Sequence, residues 1–313
     1  MSSLRRHLVA TFTACLTLAI GIALGSGPLQ GANGNDDPTS LAAANAELRD
    51  RLRTAEAAGA VDATLAEGLA PRLLPDRLTG RGVTILVLPG VSESSVTAMG
   101  TAIQQAGGSV AVVVTLDDDV VDASKRTYVG SVASSSVRGL DVEDTGSDQA
   151  FAQLGVVLAR AYVGTAKSQA FDDTAIKIDS ELQGARLVTS GAAPTARGTS
   201  VVVLASGDSG DAAVTSARNV ITADLLSTVV PAAEATVVVT PATGRDDGGL
   251  LDVLSDSEVT GEVPLSTSNA GTSSAGTLIG VYALSAALSG SPGDFGVIDG
   301  KPVLPRGLAP TDR

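Results

Sequence analysis

The sequence predicts an α/β protein with an N-terminal transmembrane helix, a short coiled-coil stalk and a three-layer domain on a parallel sheet. Three observations predict it. Residues 8–24, LVATFTACLTLAIGIAL, carry no charge; Leu41, Leu48 and Ala55 recur every seven residues; and from Gly82 onward short β-branched runs alternate with amphipathic stretches.

The apolar run has 17 residues, and at about 1.5 Å per residue a helix of that length approaches the hydrocarbon thickness of a bilayer. Arg5 and Arg6 precede it, while 25–37 contains no Lys or Arg and ends in Asp36-Asp37. The positive-inside bias therefore expects residues 1–7 in the cytoplasm and the bulk of the chain outside it, a single-pass topology. A cleaved export signal would share the basic start, and Gly25-Ser26-Gly27 would suit a cleavage region. The length of the run and the position of Pro28 favour an anchor that is retained. Cys15 sits inside the run and reads as a small buried hydrophobe.

Residues 25–39 are rich in Gly, Asn, Asp and Pro and read as a flexible spacer. A helical stalk is expected over 40–70. Its seam is Leu41, Asn45, Leu48, Leu52 and Ala55, with charged residues outside it, a spacing that suits a homodimeric coiled coil whose Asn45 would fix register. A lone amphipathic helix packed on its own domain is the competing reading.

The extracytoplasmic domain is expected over 80–313. Its strand candidates are 83–88, 109–116, 200–205, 236–240 and 263–266. The first four are apolar without polar alternation, as in strands buried on both faces of a parallel sheet. Helices are expected at 93–106, 120–137, 148–163, 174–183, 211–230, 248–255 and 273–288. Strand and helix in alternation indicate a Rossmann-like arrangement with right-handed crossovers. Residues 83–116 and 200–240 share the order strand, loop, helix, strand, with Pro89 and Pro241 just past a strand, a pattern compatible with internal duplication.

Composition limits the chemistry. With 44% hydrophobic residues in 313 the chain can bury a substantial core, and without a cysteine after Cys15 that core must hold the exported part. A net charge of −13 argues against nucleic acid as a partner. Gly207-Asp208-Ser209-Gly210 matches the nucleophile string of a serine-protease class. The general base it requires is missing, because the one histidine, His7, precedes the apolar run. The string therefore reads as a turn in which Ser209 caps a helix beginning near Asp211.

Asp117-Asp118-Asp119 with Asp122, and Asp246-Asp247-Gly248-Gly249, follow strands and read as helix-capping acids, with a hard-cation site the alternative. Pro89-Gly90-Val91-Ser92-Glu93 lacks the glycine series of a nucleotide loop, and Gly80-Arg81-Gly82 precedes its strand. Soft metals select sulfur and imidazole, and past the apolar run the chain offers only Met99, which reads as core filler. No catalytic residue, resident cofactor or metal ligand is nominated, and the protein is expected not to be an enzyme.

Leu4-Arg5-Arg6-His7, the helix end Gly21-Ile22-Ala23-Leu24-Gly25-Ser26-Gly27, the heptad segment, VTILVLPG and the QAGGSVAVVVTL stretch at 105–116 together resemble the mycobacterial copper transport protein B family. The resemblance implies an envelope protein acting in copper efflux or homeostasis. Corynebacterial relatives resemble instead a coiled-coil partner in a complex that controls a peptidoglycan hydrolase, implying an envelope protein partner. An outer-membrane pore would need a closed barrel of alternating strands, whereas these strands are unbroken apolar runs between helices.

Overall fold

A computed structural model describes residues 38–138, 149–191, 194–207, 210–257 and 264–308. The first described element is helix α1 (Pro38–Leu73), 36 residues or about 54 Å long. The strands are β1 (Gly82–Val87), β2 (Ser109–Leu116), β3 (Val188–Ser190), β4 (Ser200–Leu204), β5 (Ala235–Val239), β6 (Leu265–Ser268), β7 (Asp294–Ile298) and β8 (Lys301–Val303). Between them lie α2 (Glu93–Gln105), α3 (Arg126–Val137), α4 (Ala150–Tyr162), α5 (Asp173–Gly184), α6 (Ala212–Ala232), α7 (Leu250–Asp256) and α8 (Ser274–Leu288).

One eight-stranded sheet runs in the order β3-β2-β1-β4-β5-β6-β7-β8. Strands β2, β1, β4, β5, β6 and β7 are mutually parallel. Every residue of β4 and β5 is buried. Successive side chains point to opposite faces, so Val201 and Val203 enter one apolar layer with α4 and α6, while Val202 and Leu204 enter the other with α2 and α8. Three layers follow from that division.

The expectation of a parallel sheet needs correction, because both edge strands run antiparallel. Strand β8 turns back from β7 through Asp299-Gly300, both at positive φ (51° and 71°), with Ile298 opposite Lys301. That is the two-residue hairpin which Asp-Gly favours, a signal present in the sequence as VIDGKPV. Strand β3 is only three residues long and returns from α5 through Arg186, also at positive φ. Such short strands carry little periodicity, and β3, β7 and β8 were not among the expected strands. The sixth strand lies at Leu265–Ser268, two residues beyond its expected position.

The expected transmembrane helix, 8–24, lies outside the described residues, as does most of the spacer. Among the described residues no helix is long and apolar enough to cross a membrane. The long helix α1 fails because charges recur through it from Glu47 to Arg72.

The connection from α4 to β4 is tied down by buried polar groups. Tyr162 donates to Asp179 at 2.7 Å, and Gln183 donates to the other oxygen of the same carboxylate. Burial and the Asp179 charge push the Tyr162 phenol far up, so it remains a donor. Asp172 caps α5 by accepting from the Ala175 N–H and pairs with both Arg160 (3.1 Å) and the buried Arg197 (3.3 Å). Helix α4 also crosses α6 closely at Gly155, where a Cβ would stand 2.3 Å from the Leu225 carbonyl oxygen.

Burial pushes the Asp172 carboxyl up, but the Ala175 N–H and the two guanidiniums outweigh it and hold it below the usual carboxylate range. A depressed carboxyl stabilises the fold above its unfolded-state pKa, and that contribution disappears as pH falls through the folded value. Asp172→Asn is expected to flatten the acid limb of a stability-versus-pH curve below about pH 4. At neutral pH it should cost about 1–2 kcal/mol by denaturant titration, a modest figure because solvent screens the partly exposed pair.

Candidate functional site

The seam residues predicted from the heptads all lie on α1. Leu48 and Leu52 are 57% and 58% exposed, and Asn45 and Ala55 are also on the surface; the side chain of Leu41 lies outside what is described. Further along the same helix, Ala66 and Ala70 are buried, followed by Leu74. Ala55 and Ala66 are eleven residues apart, about three helical turns, so the exposed seam and the buried stripe occupy one face.

The C-terminal part of that face packs on the domain. Tyr282 of α8 donates to the Leu73 carbonyl at 2.7 Å, and the Arg77 guanidinium lies 4.4 Å from the Tyr282 ring centre. The N-terminal part projects away from the sheet. The packed-helix reading of the stalk therefore holds for 66–74, which lie against the domain, while the expected seam is exposed on a single helix. A groove of about 460 Å³ lies where α1 leans against α2 and α8, lined by Ala66, Ala70, Ala102 and Leu278 among others.

At the carboxyl ends of the strands the acidic residues have structural tasks. Asp117 and Asp122 cap two short 3-10 turns by accepting from Asp119 and Ser124 N–H groups, as the capping reading expected. Asp119 pairs with Lys125 at 3.5 Å and Asp118 with Arg218 at 3.3 Å. For the second acidic run the capping expectation is corrected. Asp252, not Asp246 or Asp247, reaches back to the N–H of Gly248. In the Gly207–Gly210 string, Asp208 and Ser209 lie outside the described residues, and the cap of α6 is Asp211, which accepts from Ala213 and Val214. Met99 is 1% exposed and belongs to the apolar layer beneath α8, as core filler should. Among the described residues no three His, Cys, Asp or Glu gather as a metal site would require.

One concave feature went unread in the sequence. Strand β1 leads by α2 to β2 on one side, whereas β4 leads by α6 to β5 on the other, so the chain changes direction between β1 and β4. Beyond their carboxyl ends a cavity of about 60 Å³ opens between Pro89, Ser206, Thr243 and the first turns of α6, including Arg218 and Asn219. Ser206 donates to the Pro89 carbonyl at 2.8 Å and joins the two diverging loops. The signal available in sequence was a pair of strand-to-helix loops rich in Gly, Pro and Ser, which says nothing of their adjacency.

The family model described as "Copper transport outer membrane protein, MctB" matches residues 1–305. The chain belongs to this family. The MctB description places its members at the outer membrane, so the chain is an envelope protein by family. Among relatives named "Copper transporter MctB", those of Mycobacterium tuberculosis and Mycobacterium bovis are 29% identical over 147 residues, 44% of this chain and 45% of theirs. The Mycobacterium leprae relative is also 29% identical over 147 residues, 44% of each chain. The matched region thus covers less than half the length of these MctB relatives.

The two halves of α1 predict opposite responses to the same change. Leu48→Glu should leave the melting temperature of the isolated chain within about 1 °C, since exposed substitutions rarely exceed about 0.5 kcal/mol. Ala70→Glu, about six turns closer to the domain, should lower it by several degrees, because it places a carboxylate against α8. Thermal melts of both variants check the division.

Proposed function

We propose that this MctB family member acts in copper homeostasis of the cell envelope, with its α/β domain on the extracytoplasmic side, and that it works by contact between proteins rather than by catalysis. The family match supports copper as the cargo of the system. The observation that carries the mode of action is the exposed apolar face of α1, which continues a buried stripe beyond the edge of its own domain. Copper selects thiolate, thioether and imidazole, and the one sulfur among the described residues, that of Met99, is enclosed in the core. A role in which the domain positions or gates a partner is consistent with that chemistry.

The occupant of the exposed face is a second copy of the same helix. Leu41, Leu48 and Ala55 alternate with Asn45 and Leu52 in the four-three spacing of a two-stranded seam. In a parallel, in-register pair the flanking Arg51 of one copy falls opposite Glu56 of the other, an attractive arrangement repeated by the twofold axis. Arg51 already pairs within its own helix with Glu47, so the exchange between partners is isoelectric. Asn45 against Asn45 would fix the register. Pairing at the stalk leaves the domain surfaces available to an envelope protein partner.

In a Cys15→Ser background, Leu48→Cys should oxidise to a covalent dimer within minutes, whereas Val61→Cys, about 220° round the helix from Leu48, should remain monomeric. Equal rates for the two, or a monomer at micromolar concentration, would refute the pairing. In cells, a strain lacking the chain is expected to hold several-fold more copper when grown in added copper salt. Unchanged copper content with unchanged growth would remove copper from the proposal and leave the contact role to be sought at another envelope process.

A further inference from the structure

The cavity at the change of direction between β1 and β4 has a use that neither copper nor the stalk explains. Ligands of open α/β sheets bind outside the carboxyl ends of the strands at this topological point, and here the two diverging loops are tied to each other by the Ser206 to Pro89 hydrogen bond. Size narrows the occupant. About 60 Å³ has room for about four waters, far below the 300–1,000 Å³ of a nucleotide or drug-sized pocket. A group of four or five heavy atoms fits.

Charge narrows it further. The chain carries a net charge of −13, yet among the described residues that line this cavity the charged one is the cation Arg218; the other polar side chains are hydroxyls and an amide, from Ser206, Thr215, Thr222, Thr240, Thr243 and Asn219. The guanidinium meets Asp118 at 3.3 Å, with side chains 36% and 71% exposed. A solvent-exposed pair of this kind is worth about 0–1 kcal/mol, so another carboxylate or a phosphate can replace Asp118 on the guanidinium fork.

We propose that this cavity binds a small oxyanion, a carboxylate or tetrahedral oxyanion group, on Arg218, in competition with Asp118. The group is either a free ion or the terminal group of a larger molecule whose remainder stays outside the cavity. Nothing in this reading depends on the stalk or on copper, so it stands or falls separately from them.

The test is calorimetric titration of the full-length protein, at fixed ionic strength, with sodium phosphate, sodium sulfate and sodium acetate as separate probes. Saturable binding of at least one probe is expected, and the pattern across the three separates tetrahedral from planar oxyanions. Arg218→Gln should weaken it at least tenfold. Asp118→Asn should tighten it several-fold, a change that a purely structural role for the ion pair would not produce. Gly207→Val provides a second route to loss. Gly207 lines the cavity, and a Cβ there has 3.7 Å to the nearest neighbour, Pro241, so the position has room for a side chain at the cavity wall. Absence of saturable binding by all three probes overturns the proposal. So does equal binding by Arg218→Gln with an unchanged melting temperature, or a failure of Asp118→Asn to tighten binding.

Discussion

The burial of β1, β4 and β5 on both faces is the constraint on which the rest of this molecule depends. A strand of five or six apolar residues without polar alternation cannot lie at a surface, so each face must be covered, and helices crossing between parallel strands supply the cover. Val201 and Val203 on one side, Val202 and Leu204 on the other, commit α4 and α6 to one layer and α2 and α8 to the opposite one. The crossovers then deliver the loops after β1 and β4 to the same edge, and the small polar cavity exists because those loops diverge there. Gly155 lets α4 and α6 approach closely enough to seal one layer, and the Asp172 cluster fixes the loop that leads out of it.

Helix α1 meets two environments along one face. Near the domain its contacts are Ala66 and Ala70, small enough for α8 and α2 to come close, and beyond the domain the same face carries Leu48 and Leu52. Small residues suit close approach to a preformed surface, while large apolar residues at four-three spacing suit a facing helix. A continuous stripe with a change of residue size is what the proposed pairing of this helix with a second copy would require. Charges recurring from Glu47 to Arg72 keep this helix out of the hydrocarbon of a membrane.

Membership of a family described by copper transport meets a domain with few groups that copper prefers. The four carboxylates after β2, Asp117, Asp118, Asp119 and Asp122, are engaged in caps and ion pairs, and Met99 is in the core. The contact role proposed above is compatible with both, because a protein can govern the passage of an ion without ligating it, provided that its partners or its assembly do so. The sheet is open, and short antiparallel strands form both of its edges.

The sequence by itself determined the alternation of strand and helix in the α/β domain, the helical character of 40–70, the buried role of Met99 and the capping role of Asp117 and Asp122, because each rests on local periodicity or on the chemistry of a helix start. The Asp299-Gly300 hairpin was equally local and was written in the sequence, but it went unread beside the stronger parallel pattern. Tertiary structure alone decided the direction of β3, the transfer of a cap from Asp246 or Asp247 to Asp252, the pairing of Arg218 with Asp118 and the cavity between the loops after β1 and β4. These depend on which segments of distant sequence number come together, about a hundred residues apart for Arg218 and Asp118. Periodicity reports the environment of a residue, buried or exposed, and carries no record of which neighbour provides it.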